Sequence, residues 1–299
     1  MRPPETPSAY PDVSTTPLVG PPPAVCRIEA DDVRSALQLA AHGRVYDLAT
    51  VLSRDMPQGP AATFGGFRIS PFRTPRALAR PEDPPPFDFS MEVVTGSLHL
   101  GTHLDGLAHI HASGRMFGEI PTGAAYSDFG WKANGVENVP PIVGRGVLFD
   151  VPAALGTDPL PDGFEVTETH LRATAELQGT ELRANDIVLV RTGKISQFKD
   201  GREEFFGPQP GVGAAAAIWL YESGMVVLGT DTSGTEPHPI LDLANTTHQA
   251  MLVERGVLLL EIVDLDGLAR DRVYEFAFVC LPLKIVGATG SWARPIAIC

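Results

Sequence analysis

Ala214-Ala215-Ala216-Ala217-Ile218-Trp219-Leu220, then Gly224, then Met225-Val226-Val227-Leu228-Gly229-Thr230-Asp231, is the stretch that decides the fold. The alanine-rich segment from Pro210 to Ser223 has high helix propensity, and Gly224 ends it. The run that follows is apolar on consecutive residues rather than alternate ones, the pattern of a strand covered on both faces. Upstream, Asp186-Ile187-Val188-Leu189-Val190-Arg191 is a second run of that kind. Strand, helix, strand in this order marks an α/β chain.

Working outward, Thr246 to Arg255 reads as a helix closing at Gly256, and Val257 to Val263 as the next strand. Val273 to Val279 and Leu283 to Val286 read as two more strands flanking Leu281-Pro282. On the N-terminal side, Gly146 to Asp150 is a strand, and Val166 to Leu177 a helix with Thr167 as its cap. A helix capped by Asp31 or Asp32 carries Val33, Leu37, Leu39 and Ala40 and ends at Gly43, before a strand at Val45-Tyr46-Asp47-Leu48. Residues 57–90 are rich in Pro, Gly and Arg, a loop composition able to roof a pocket. Prolines at 3, 4, 7, 11, 17, 21, 22 and 23 deny the first residues both helix and ladder hydrogen bonds. Residues 1–28 are therefore expected to form an extended or disordered arm, and 29–299 a single domain. No internal repeat is visible.

The chemistry gathers in Ser97-Leu98-His99-Leu100-Gly101-Thr102-His103-Leu104-Asp105-Gly106-Leu107-Ala108-His109-Ile110-His111, which holds four of the eight histidines and a carboxylate. Imidazole nitrogens with one carboxylate oxygen suit Zn²⁺, Mn²⁺ or Fe²⁺, and three protein ligands leave room for a water. Neither regular element brings His99, His103 and Asp105 to one ion. On a helix Asp105 points away from the two histidines, at roughly 100° per residue. On a straight strand His99 and His103 stand about 13 Å apart. A strand at 93–98 bent or broken at Gly101-Thr102 solves the problem, because glycine tolerates backbone angles that a Cβ forbids. His109 then stands beside the ion rather than on it.

Composition narrows the partners. The chain has 299 residues, 43% of them hydrophobic, enough for a substantial core. With 23 basic against 36 acidic residues the formal charge is −13, which argues against nucleic acid and anionic membranes. Cys26, Cys280 and Cys299 form no Cys-x-x-Cys pair, so neither a disulfide framework nor a thiolate zinc site is indicated. No leader-like apolar run or 18-residue apolar span occurs, and a cytoplasmic location is expected by default.

Glu261 ends the apolar run Val257-Leu258-Leu259-Leu260, where a lone carboxylate is costly to bury. Glu261 and His248 either complete a second metal position shared through Asp105 or orient the substrate and first ligands. An exposed strand end and an ordinary helix residue is the other reading.

The pattern His99-x-Gly-Thr-His103-x-Asp105-x-x-x-His109, the strand ending Gly229-Thr230-Asp231-Thr232, and then His248 with Glu261 resemble the cyclase family of metal-dependent hydrolases, which includes bacterial kynurenine formamidase and isatin hydrolase. The C-terminal run from Val273-Tyr274-Glu275-Phe276 through Leu281-Pro282-Leu283-Lys284-Ile285 to Gly287-Ala288-Thr289-Gly290-Ser291 is similar to the longer members. The likeness covers roughly residues 30–299. It implies an α/β fold of the swivelling β/β/α type, a mixed sheet packed against helices, in a homodimer or homotetramer. It also implies a divalent ion, Zn or Mn, one or two per subunit. His99, His103 and Asp105 match the first-metal ligands; Asp105, His248 and Glu261 match the second set; His109 matches the catalytic histidine. Two departures from the pattern are Leu107, where short members carry proline, and a His248 to Glu261 spacing one residue longer.

These residues lead to a metal-dependent hydrolase opening an aryl formamide, cyclic amide or lactone, with His109 as general base and acid. Phe64, Phe67, Phe87, Phe89 and Trp131 are the expected walls for an aromatic or cyclic small molecule. Two alternatives keep the metal site: a natural-product cyclase or dehydratase of the polyketide type, and a non-catalytic oligomer stabilised by metal. A serine hydrolase is disfavoured because no Gly-x-Ser-x-Gly elbow occurs.

Overall fold

A computed structural model describes residues 22–60, 63 and 65–299. Its centre is a nine-stranded mixed sheet. In spatial order the strands are Val45–Asp47, Ile296–Ile298, Glu275–Cys280, Ile142–Asp150, Ile187–Arg191, Val227–Thr230, Leu258–Glu261, His103–Asp105 and Gly290–Trp292. The four from Ile142–Asp150 to Leu258–Glu261 run parallel, and antiparallel partners flank them on both sides. Helices Glu168–Gln178 and Ala214–Glu222 pack on the sheet and on each other. The apolar runs became this parallel centre for a simple reason. Strands covered on both faces must be apolar at every position, and Ile187 to Val190 and Val227 to Leu228 are all fully buried. The mixed sheet packed against helices is the α/β architecture the sequence implied.

Most elements fall where the pattern put them, with instructive departures. Thr167 caps its helix with His170 in a capping box, and Glu29, rather than Asp31 or Asp32, opens the helix Ala30–Gln38. Asp32 is the residue that reaches back, accepting from the Glu29 N–H at 2.8 Å. The helix expected from Pro210 starts only at Ala214, because Gly211-Val212 pairs as a short parallel strand with Glu165-Val166. Leu283 to Val286 is not a strand. It is a connecting loop that leaves Leu283 and Val286 about half exposed, and the last strands are Gly290–Trp292 and Ile296–Ile298 instead. Within 57–90, Arg68–Arg73 pairs with Met91–Thr95 as an antiparallel ribbon. Within the expected arm, Ala24 and Val25 form a short turn buried in the main core. Residues 1–21 of the expected arm, and Phe64, lie outside the described residues. No helix among the described residues is long and apolar enough to cross a membrane.

The carboxyl ends of the parallel strands carry Asp150, Arg191, Thr230 and Glu261 along one edge. Ligand sites of parallel sheets form at this edge.

Candidate metal centre

Glu261 is the last residue of its strand and lies opposite His103 in the antiparallel pairing; Leu259 lies opposite Asp105. Alternation along a strand therefore puts His103, Asp105 and Glu261 on one face and Leu104 and Leu260 in the core on the other. The chain reaches this position through Gly101, whose φ of +65° a side chain would strain and whose absent Cβ leaves room for Leu52, 2.3 Å from where that atom would sit. The bend at Gly101-Thr102 is thus present, and the strand before it is Met91–Thr95. Gly290 serves a close approach of another kind: a Cβ there would meet the His99 ring at 2.7 Å.

Asp105 is the hub. Its Oδ1 accepts from His99 Nδ1 at 2.6 Å and lies 3.4 Å from His103 Nε2; its Oδ2 lies 3.5 Å from His248 Nε2 and 4.0 Å from His109 Nε2. Glu261 closes the other side, 3.6 Å from His103 Nε2 and 3.3 Å from His248 Nε2. Donor atoms gather as two triples, His99 with Asp105 and His109, and His103 with Asp105 and Glu261. All six residues singled out in the sequence come together here. His99 makes two contacts of its own, Nδ1 with Asp105 and Nε2 with the Thr289 hydroxyl at 2.9 Å.

The spacings suit a cation. Two atoms bound to a tetrahedral ion at about 2.0–2.1 Å lie about 3.4 Å apart, and the gaps of His103 and His248 to the two carboxylates run from 3.3 to 3.6 Å. These imidazole and carboxylate donors, buried and facing one another just beyond hydrogen-bond contact, fit a divalent ion.

Electrostatics separates the histidines. Burial works against charge on His248, but the Glu236 and Glu261 carboxylates outweigh it and hold its pKa well above the usual value. The same contest raises His103 through Asp105 and Glu261. His109 goes the other way, pushed to about 4 by burial and its histidine neighbours despite Asp105. Asp105 is held well below the carboxylate range by surrounding histidines, chiefly His109 and His99, despite full burial. His109 stacks on His99 with ring centres 4.1 Å apart and keeps a side chain 28% exposed, so it forms the solvent-facing rim.

The expected aromatic walls fare differently. Phe67 is buried against Trp292 in a small core cluster, so it packs the fold instead of lining an opening. Phe87 and Phe89 are exposed and pair with each other, with Arg73 over the Phe89 ring. Trp131 packs on His111 and on the cluster containing Ala108, beside His109 in the chain. Asp231, from the matched Gly229-Thr230-Asp231-Thr232 run, stands apart from the cluster and accepts from the Thr192 N–H and hydroxyl and from the Gly193 N–H.

Three residues escaped the sequence reading. Glu236 accepts a short hydrogen bond from His248 Nδ1, the Thr235 hydroxyl donates to Glu261 at 2.9 Å, and Thr289 binds His99. Glu236 had one available signal: it follows the carboxyl end of a buried parallel strand.

The comparisons agree with this architecture. The family model named Cyclase matches residues 46–237, well over half of the chain. Kynurenine formamidase of Bacillus cereus is 27% identical over 203 residues, 68% of this chain and 77% of that protein. A crystal structure described as a novel cyclase superposes with a TM-score of 0.84 at 28% identity, covering 93% of this chain and 94% of that one. Isatin hydrolase A of Ralstonia solanacearum shares the fold, with a TM-score of 0.63 at 23% identity over 89% of this chain and 96% of its own. With its histidine motif, sheet and family match in agreement, this chain belongs to the cyclase family.

Proposed function

We propose that the chain is a metal-dependent hydrolase that opens the carbon–nitrogen bond of an aryl formamide or cyclic amide, or the ester bond of a lactone. The observation that carries this reading is the convergence of His103 and His248 on the Asp105 and Glu261 carboxylates at ion-sized gaps, with a neutral histidine at the open rim. The names of the kynurenine formamidase and isatin hydrolase relatives support it.

His99, His103, Asp105, His248 and Glu261 would supply the ligands, with Asp105 shared between one cation position on the side of His99 and His103 and a second on the side of His248 and Glu261. A divalent cation there, zinc or manganese, supplies a Lewis acid that polarises the substrate carbonyl and makes water acidic enough to attack at neutral pH. The rest is done by the chain. His109, uncharged at neutral pH, takes a proton from the attacking water through Nε2 and returns it to the leaving nitrogen or oxygen. The His99 ring stacked against that imidazole limits its rotation. Trp131, packed next to Ala108, is the aromatic surface we assign to a planar substrate.

The test strips the protein with a chelator, restores Zn²⁺ or Mn²⁺, counts ions by elemental analysis, and assays an aryl formamide, isatin and an aryl lactone. Turnover that vanishes on chelation and returns with metal is expected. Bound metal with no turnover on any of the three would overturn the hydrolase.

Homo-oligomerisation belongs to the same proposal. The ribbon Arg68–Arg73 with Met91–Thr95 leaves Ile69, Phe72, Met91, Val93 and Val94 exposed, and an isolated two-stranded ribbon is marginal in water. A second copy covering it predicts a dimer or larger species by light scattering that Phe72→Asp dissociates. A wild-type monomer would refute it.

A further inference from the structure

We infer that Glu236, a residue outside the ligand set, is the positioning residue that makes His248 a metal ligand and so creates the second cation position of this site. The inference rests on the proposed metal centre and goes beyond it by assigning the group that builds one half.

His248 has two ring nitrogens and only one can face an ion. Nδ1 donates to Glu236 Oε2 in a short hydrogen bond, which leaves Nε2 pointed between Asp105 Oδ2 at 3.5 Å and Glu261 Oε1 at 3.3 Å. With Nδ1 carrying the proton, Nε2 offers its lone pair to a cation, and a carboxylate on the far nitrogen makes that lone pair more basic. His103 uses the same device with a weaker partner: its Nδ1 donates to the Gly101 carbonyl at 2.8 Å. One histidine is thus oriented by a neutral acceptor and the other by a charged one.

Glu236 is itself held rigidly. Gln209, fully buried, donates through Nε2 to the Glu236 carbonyl at 3.0 Å and to the Gly234 carbonyl, and accepts from the Ser233 N–H and hydroxyl. The adjacent Thr235 hydroxyl donates to Glu261 Oε1. Consecutive residues of one clamped loop therefore orient both His248 and Glu261. His248 leads directly into the π-helical turn Gln249–Val253, a winding that recurs at functional sites. Side-chain anchoring by Glu236 is what holds the ring in place.

The experiment compares wild type, Glu236→Gln and Glu236→Ala after chelator treatment. Each is titrated with Zn²⁺ and with Mn²⁺ by calorimetry, ions per chain are counted by elemental analysis, and thermal melts verify folding. Wild type is expected to take up two ions. Glu236→Ala should weaken one of them about 10–100-fold, the size of effect typical for a carboxylate behind a metal-binding histidine, and leave the other unchanged. Glu236→Gln keeps an acceptor without the charge and should fall between; it carries the test if the alanine variant does not fold. Nitrogen-15 spectra of the zinc-loaded protein should show the His248 proton on Nδ1 in wild type. Unchanged affinity for both ions in Glu236→Ala, an equal loss at both, or a single ion in wild type would overturn the proposal. A wild-type chain that takes up no divalent ion would sink the metal centre itself, a result seen before any substitution is made.

Discussion

Two charge clusters, one around the buried Arg191 and one around the buried Asp105, sit along the carboxyl edge of the same sheet, and they are built oppositely. Around Arg191, cation and carboxylates touch: Asp150 at 3.1 Å, Asp158 at 3.0 Å and Asp266 at 2.9 Å. Lys199 adds a second bridge to Asp266 at 3.0 Å. Around Asp105, most of the facing donors stop at 3.3 to 4.0 Å. A closed cluster, whose cations and carboxylates touch, offsets most of its own charge by direct ion pairs. An open one leaves lone pairs directed at a shared space, and a cation is the natural way to offset their burial. Burial of charge alone therefore does not mark a site; residual gaps between well-anchored groups do.

The largest effect that would break this contrast is removal of the open cluster's hub. Asp105→Asn should abolish ion uptake and lower kcat/KM about a thousandfold or more, read by elemental analysis and steady-state kinetics. Normal metal content in that variant would remove Asp105 from the centre. In the closed cluster, Arg191→Met should instead cost about 3 kcal/mol by leaving the buried Asp150 carboxylate without its cation, a melting point lower by roughly 6–12 °C. Ion uptake per folded molecule should stay at the wild-type level, and a loss there would erase the distinction between the clusters.

His109→Ala sharpens the comparison within the open cluster. Turnover should fall about 10²–10⁴-fold with metal content intact, the outcome required by the proposed proton-transfer role of the rim histidine. Metal loss with little change in turnover would reverse those roles.

The smallest expected effect is about one proton, and its sign follows from the raised pKa of His248. In the metal-free chain that imidazole is charged at neutral pH, so a cation taking its place must displace the proton. Calorimetry at pH 7 in buffers of different ionisation enthalpy should register the release, and the signal should fade as pH rises above the His248 pKa. Stability follows the same linkage. The raised His248 pKa contributes stability present below its ordinary value and lost as pH rises through the folded one. The lowered Asp105 pKa contributes stability present above the ordinary carboxylate value and lost in acid. Melts of the metal-free chain should therefore peak between these limits.

How much of this was legible differs by element. The strands Ile187–Arg191 and Val227–Thr230 were readable because a strand buried on both faces has no polar positions to blur it. Leu283 to Val286 misled because a short apolar run is also what a half-exposed loop can carry. Phe67 looked like a pocket wall on composition, yet an aromatic next to glycines is equally a plug, and it packs on Trp292.

The sequence by itself determined which side chains gather at the candidate centre. Ligand type, the glycine bend and alternation along a short strand are local properties, and they brought His99, His103, Asp105 and His109 to one place and pointed to Glu261. Only the tertiary structure decided how those groups are shared. The Glu261 to His103 register, the Glu236 bond to His248 and the Thr289 bond to His99 join segments far apart in the chain. Such contacts are set by sheet order and loop packing, and no spacing along the chain encodes them.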